Sequence, residues 1–321
     1  MSATSQKRSE EFLKISGQFK LGALVTESSH PVTANLSDVA KQDIAAALKL
    51  LFDADDDVVK KFREFVESGR AGEIVAAVLS AIKNGGRIFF TGCGSTGRLS
   101  ILLDSVWRDF WQRRRRGDGS QTKIGHKSET PYVVSCDEKD FENRTFSVMA
   151  GGDFALIKSV EGFEDFTAFG KKQINDLGVS KNDVIFAITE GGETSFVIGT
   201  AWAGVEAGAK VYFVYNNPDD ILSAHVQRSR EVIQDSRIEK INLTTGPMAI
   251  TGSTRMQATT IQLCVMLTIL EMIARELVRW GERPREPKNK ISLGGSPGVS
   301  PHQNSVDIPK QFLTALEQLH K

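Results

Sequence analysis

The stretch RIFFTGCGSTGRLSILL (Arg87–Leu103) decides how the chain is read. IFFTG, from Ile88 to Gly92, is a continuous apolar run, Gly92-Cys93-Gly94-Ser95-Thr96-Gly97 is a glycine turn, and apolar residues then return at helical spacing. The sequence predicts strand, loop, helix. Leu99, Leu102, Leu103, Val106, Trp107, Phe110 and Trp111 recur at steps of three and four, which predicts one buried stripe on that helix.

The unit repeats downstream of this stretch. PYVVSC (Pro131–Cys136), DVIFAITE (Asp183–Glu190) and KVYFVYNN (Lys210–Asn217) read as further strands, and SFVIGTAWAGVEAG after the second of these reads as a helix. Short apolar strands alternating with helices predict a parallel sheet covered on both faces, a doubly wound α/β domain. A long apolar helix is expected from Ser253 to about Trp280, ended beyond Gly281 by Pro284 and Pro287. GGSPGVSPHQNS then reads as a linker, and an apolar-periodic helix from Ile308 to His320 either docks back or opens a further domain. Upstream lies a polar lead-in with the turn-forming segment TESSHPVTANLS (Thr26–Ser37). Helices follow over DVAKQDIAAALKLLF, capped by Ser37, over VVKKFREFVE, and over GEIVAAVLSAIKNGG. The division is therefore a lead-in and helical segment at 1–85, an α/β domain at 86–281, and a linker with the start of another helix at 282–321.

Composition narrows the partners. Lys+Arg and Asp+Glu are 40 each in 321 residues, so the chain has no bulk attraction to nucleic acid or to a membrane surface. No run approaches the roughly 20 apolar residues of a membrane helix, and the first residues lack a secretory apolar core; a cytoplasmic protein is expected. The three cysteines (Cys93, Cys136, Cys264) and five histidines show no metal-ligand spacing, so neither a metal nor a cofactor is expected. Arg113–Arg116 ends the first sheet helix, where cations suit the helix dipole; nuclear import or an acidic partner is the other reading of that run.

Three loops can carry chemistry. Gly92–Gly97 precedes a helix, where free N–H groups and the dipole favour an anion, with Ser95 and Thr96 adding hydroxyls and Arg98 a charge. The turn also matches the dinucleotide pattern GxGxxG, but Asp137 lies too far beyond Gly97 to be that pattern's acidic residue. Thr189-Glu190-Gly191-Gly192-Glu193-Thr194-Ser195 ends a second strand, and in an open parallel sheet it should share a crevice with the first loop. Its hydroxyls suit a phosphate, whereas Glu190 and Glu193 would repel one. Thr251-Gly252-Ser253-Thr254-Arg255 opens the long helix, and Arg255 offers a fork of donors. Glu161, Glu164 and Asp165 on their own read as a solvated acidic turn.

FTGCGSTGR (Phe90–Arg98), AGGDFALIKSVEGFEDF (Ala150–Phe166), AITEGGETSFVIG (Ala187–Gly199) and TGPMAITGSTRM (Thr245–Met256), in this order, resemble the conserved stretches of sugar isomerase (SIS) domains. The nearest groups are the N-acetylmuramic acid 6-phosphate etherases and the glucokinase regulatory proteins, and LVTESSHPVTANLS is similar to the segment that precedes both. The resemblance implies a flavodoxin-like three-layer domain. It also implies a phosphorylated hexose or amino sugar as ligand, contacted by Ser95, Thr96, Thr189, Thr194, Thr254 and Arg255. SIS domains of this group work in pairs, which implies a homodimer or a second SIS domain.

The same resemblance implies Glu164 as the base of an etherase-type elimination. The matching acid position holds Val106, and Asp104 lies about 200° away around the helix. Without a placed acid the elimination should lose on the order of 10²- to 10⁴-fold. Glu190, Glu193, Met248 and Gln257 also depart from the etherase pattern. The regulatory proteins lack the acid too, so a sensor of sugar phosphates with a sugar kinase partner is the expected function. A carbon–oxygen lyase, with Glu190 as an unrecognised acid, is the alternative.

Overall fold

The computed structural model describes residues 3–16, 21–116, 141–158, 162–281 and 307–319. Five strands, β1 (Ile88–Gly92), β2 (Thr145–Met149), β3 (Val184–Ile188), β4 (Lys210–Tyr215) and β5 (Ile238–Asn242), form one sheet in the order β2-β1-β3-β4-β5. All pairings are parallel. That is the doubly wound, flavodoxin-like order, whose direction of winding reverses between β1 and β3. The loops that follow these two strands therefore flank the reversal.

Alternate residues of each central strand face opposite layers, as the two-residue strand period requires. On one face Phe90, Phe186 and Tyr212 stack with ring centroids 5.7 and 5.1 Å apart. They join a core made with α4 (Asp56–Glu67), α5 (Arg70–Lys83), α6 (Gly94–Arg116) and the long α12 (Gln257–Gly281). On the other face Phe89, Ile185, Val211 and Phe213 pack against Ile174 of α8 (Thr167–Asp176) and Phe196, Val197 and Ala201 of α9 (Ser195–Ala207). Both faces are covered, which is why the central strands β1, β3 and β4 are almost uniformly apolar.

The helical front begins with α1 (Ala3–Ile15), followed by α2 (Leu36–Gln42) and α3 (Ile44–Ala54). The single helix expected after Ser37 is thus two helices, and Ser37 lies inside the first of them rather than capping it. Asp43 makes the break: its backbone is extended, and its carboxylate accepts from Ala46 N at 3.1 Å to cap α3. The long helix starts at Gln257, a few residues later than expected. On α6 the buried stripe is Leu99, Leu103, Trp107 and Trp111, whereas Leu102 and Val106 are 44% and 40% exposed. Strands β2 and β5 were not expected. PYVVSC, Cys136, Glu161 and the Gly/Ser/Pro linker lie outside the described residues.

The last described helix, α13 (Ile308–Leu319), docks back. Phe312, Leu313 and Leu316 pack on the core beside α4 and α12, and Arg63 of α4 donates to Glu317 at 2.7 Å. Among the described residues no helix is long and apolar enough to cross a membrane, and no group of three His, Cys, Asp or Glu side chains could hold a metal ion.

Candidate functional site

The loop after β1 is shaped by its small residues. A Cβ at Gly92 would lie 2.4 Å from the backbone of Thr96, so only glycine lets the helix start fold back over the strand. Thr96 is buried and secures this turn: its hydroxyl donates to Cys93 O at 2.9 Å and accepts from Cys93 N at 3.0 Å. Ser95 instead points across the crevice, where its hydroxyl donates to Glu190 Oε1.

Glu190 sits at the carboxyl end of β3 and is 8% exposed. Thr259 of α12 also donates to its Oε1, at 3.3 Å, and Thr259 is held in turn by the Thr254 carbonyl at 2.9 Å. Residues from three separate parts of the chain thus meet on one carboxyl group. Burial pushes the Glu190 pKa up; the hydrogen bonds from Ser95 and Thr259 and the charge of Arg255 only partly offset this. Glu193 is shifted the same way, to about 7, by burial first and then by Glu190 and Glu27, against the pull of Arg228. Among the described residues its Oε2 has no hydrogen-bond partner.

The other hydroxyls divide by exposure. Thr189 is fully buried, pairs with the Thr194 hydroxyl at 2.9 Å and accepts from Gly192 N at 3.3 Å, so it fixes the second loop. Thr194, Thr254 and Arg255 lie nearer the surface. Ser95, Arg255 and Thr259, with Arg98, Leu99, Leu102 and Leu263, line a cavity of about 420 Å³.

Glu164 precedes α8 and is exposed. It reaches back to the first loop, where its Oε2 accepts from Cys93 Sγ at 3.2 Å. Burial pushes the Cys93 thiol far up, with Glu164 and then Glu190 adding to the shift, so this cysteine stays protonated. Glu164 accepts from Cys93 and Glu190 from Ser95, so the two carboxyl groups lie around the same glycine turn. Asp104 is elsewhere: it accepts from the Thr145 hydroxyl at 2.5 Å and from Arg108 at 3.0 Å, on the β2 side of α6.

Two residues that organise the crevice carry no loop motif. Asn217, just past β4, is fully buried; it accepts from Val25 N at 2.8 Å and Thr26 N at 3.2 Å and donates to Gly191 O at 2.9 Å. It ties the lead-in to the second loop. Gln262 donates to Thr189 O at 2.9 Å and to Asn216 Oδ1 at 2.6 Å. The sequence signal for both is a polar residue inside an apolar element, which needs a partner when buried. The lead-in also reaches the third loop, where Ser29 bonds Thr251 at 2.9 Å and Thr33 donates to Ala249 O at 2.7 Å. Met248 is buried beside it, and Gln257 accepts from Ala249 N at 2.9 Å. The arginine run is engaged locally, Arg113 with Asp109 at 2.7 Å and Arg115 with Glu142.

Residues 71–203 match the domain family described as the glucokinase regulatory protein N-terminal SIS domain. Over 252 residues the chain is 30% identical to an N-acetylmuramic acid 6-phosphate etherase of Clostridioides difficile (strain 630), an alignment covering 78% of this chain and 69% of that protein. It is 28% identical over 251 residues to the protein of the same name from Francisella tularensis subsp. holarctica (strain LVS), covering 78% and 71%. A solved phosphoheptose isomerase from Neisseria gonorrhoeae aligns over 73% of this chain and 98% of its own at a TM-score of 0.44 and 13% identity.

Proposed function

The chain belongs to the SIS-domain family, in the group that holds the N-acetylmuramic acid 6-phosphate etherases and the glucokinase regulatory proteins, and from that premise we propose that its crevice binds an amino-sugar phosphate and performs an etherase-type elimination. In this reading Ser95, Thr194, Thr254 and Arg255 hold the ligand, while Thr96 and Thr189 keep the loops in shape. Glu164 takes the proton from the carbon next to the open-chain carbonyl. The bond from the neighbouring carbon to the lactyl oxygen breaks, Glu190 gives its proton to the departing lactate, and water then adds across the new carbon–carbon double bond.

The observation that carries this reading is Glu190: a buried carboxyl group with a raised pKa, across the glycine turn from Glu164. Burial raises the Glu190 pKa and so favours the protonated form, the form a general acid needs. The same upward shift lessens the repulsion expected between this loop and a phosphate. A second copy of the chain, or a second SIS domain, completes the site.

One observation favours a second reading, a sugar-phosphate sensor that regulates a sugar kinase: Val106 stands where the etherases' acid is expected. Incubation with N-acetylmuramic acid 6-phosphate and assay of lactate separates the two. The lyase reading expects turnover that falls on the order of 10²- to 10⁴-fold in Glu164→Gln and in Glu190→Gln. Binding of the sugar phosphate with no lactate released from the unaltered protein would establish the sensor instead.

A further inference from the structure

Glu190 engages the groups that the proposed function gives to a ligand's phosphate. Its Oε1 accepts from the Ser95 hydroxyl, in the first turn of α6, and from Thr259 of α12 at 3.3 Å, within the field of Arg255. Ser95 and Arg255 are the phosphate's expected partners. A helix start with hydroxyl donors and a guanidinium nearby is where an anion settles, and here a side chain of the protein itself supplies the acceptor. Glu190 is buried in that position, and Thr259 is held toward it by the Thr254 carbonyl at 2.9 Å.

Ser95 has one hydroxyl proton, so it cannot donate to Glu190 and to a phosphate oxygen at once. A phosphate that uses Ser95 must take it from the carboxyl group. The exchange needs only side-chain rotation, because the backbone of Glu190 is pinned where Asn216 N donates to Glu190 O at 2.9 Å. The cavity of about 420 Å³ lined by Ser95, Arg255 and Thr259 gives the incoming group its approach. We propose that Glu190 is an internal competitor of the ligand: in the empty crevice its carboxyl group stands in for the phosphate, and a phosphate enters by displacing it from Ser95 and Thr259. The proposal rests on the sugar-phosphate reading of the crevice and adds what the ligand must overcome. It also orders events, since the acid of the elimination is released only once a phosphate is seated, and a sugar without phosphate meets a closed site.

Calorimetric titration with N-acetylglucosamine 6-phosphate tests it, because this probe carries the phosphate and has no lactyl group to lose. Glu190→Ala removes the competitor and should bind the probe at least about tenfold tighter, the equivalent of one charge-assisted hydrogen bond that no longer has to be broken. Glu190→Gln keeps the length of the side chain and an amide oxygen that accepts from Ser95, so its gain should be clearly smaller. Thr259→Val, which keeps the glutamate and takes away one of its two partners, should also tighten binding and serves if the alanine variant fails to fold. Equal gains in Glu190→Ala and Glu190→Gln would overturn the competitor and make Glu190 a source of charge repulsion only. Unchanged or weaker binding in folded Glu190→Ala, or in Thr259→Val, would overturn it as well, and each of these results leaves the sugar-phosphate reading standing. Binding of the probe by none of the proteins, with thermal unfolding of the unaltered chain showing it folded, would overturn the sugar-phosphate reading and the competitor together.

Discussion

Glu190 and Glu193 lie three positions apart in one loop, and both hold their protons more tightly than exposed glutamates do. For Glu190 the consequence concerns binding. As pH rises through its folded pKa it acquires a negative charge beside the phosphate site, so affinity for a sugar phosphate should fall with rising pH. Glu190→Gln, which stays neutral, should flatten that profile when measured by calorimetry across the same range. For Glu193 the consequence concerns stability. Between the ordinary glutamate value of 4.5 and its folded value of about 7, the folded state binds a proton that the unfolded state has lost. Stability therefore falls as pH rises through that window. Glu193→Gln should remove this fall, and denaturant unfolding at pH 8 should show the variant more stable by on the order of 2 kcal/mol.

At the scale of elements, α6 separates packing from hydrogen bonding. Trp107 and Trp111 are both fully buried one turn apart, with ring centroids 5.6 Å from each other. Trp107 Nε1 donates to Phe141 O at 2.7 Å, whereas Trp111 Nε1 has no partner among the described residues. Replacing either by Phe leaves a similar void, but only Trp107→Phe also removes a buried hydrogen bond, leaving Phe141 O with Arg144 N at 3.1 Å. Chemical denaturation should find it the costlier change by about 1 kcal/mol.

The same helix marks how far the sequence could be read. Its start, its apolar rows and the glycine turn before it are local signals, and strands β1, β3 and β4 are apolar on both faces, so these elements were legible. Strands β2 and β5 were not, because each edges the sheet and mixes polar residues into a short run: TFSVM and IEKIN. The exposed side of Leu102 and Val106 was hidden for a related reason. Helical spacing groups residues on a face but does not say what lies opposite it. In the crevice, the three hydroxyl loops were visible as motifs, while the pairing of Ser95 with Glu190 depends on how two strands of distant sequence align.

At the scale of the whole molecule, two segments outside the sheet brace it at different places. The lead-in crosses the carboxyl ends of the strands through Asn217, Ser29 and Thr33. The final helix, α13, lies on α4 and α12 with Ile308 buried and Arg63 paired to Glu317. α13 and α12 belong to one chain, so the docking of α13 is an intramolecular association driven by an apolar face. Covalent connection lets a weak contact stay closed. A synthetic peptide spanning 307–319, added to a chain shortened to residue 281, should therefore raise its melting temperature in a saturable manner. The helix would then act as a detachable splint: tight when covalently delivered, loose when supplied from solution, and open to competition by any amphipathic strip with the same spacing.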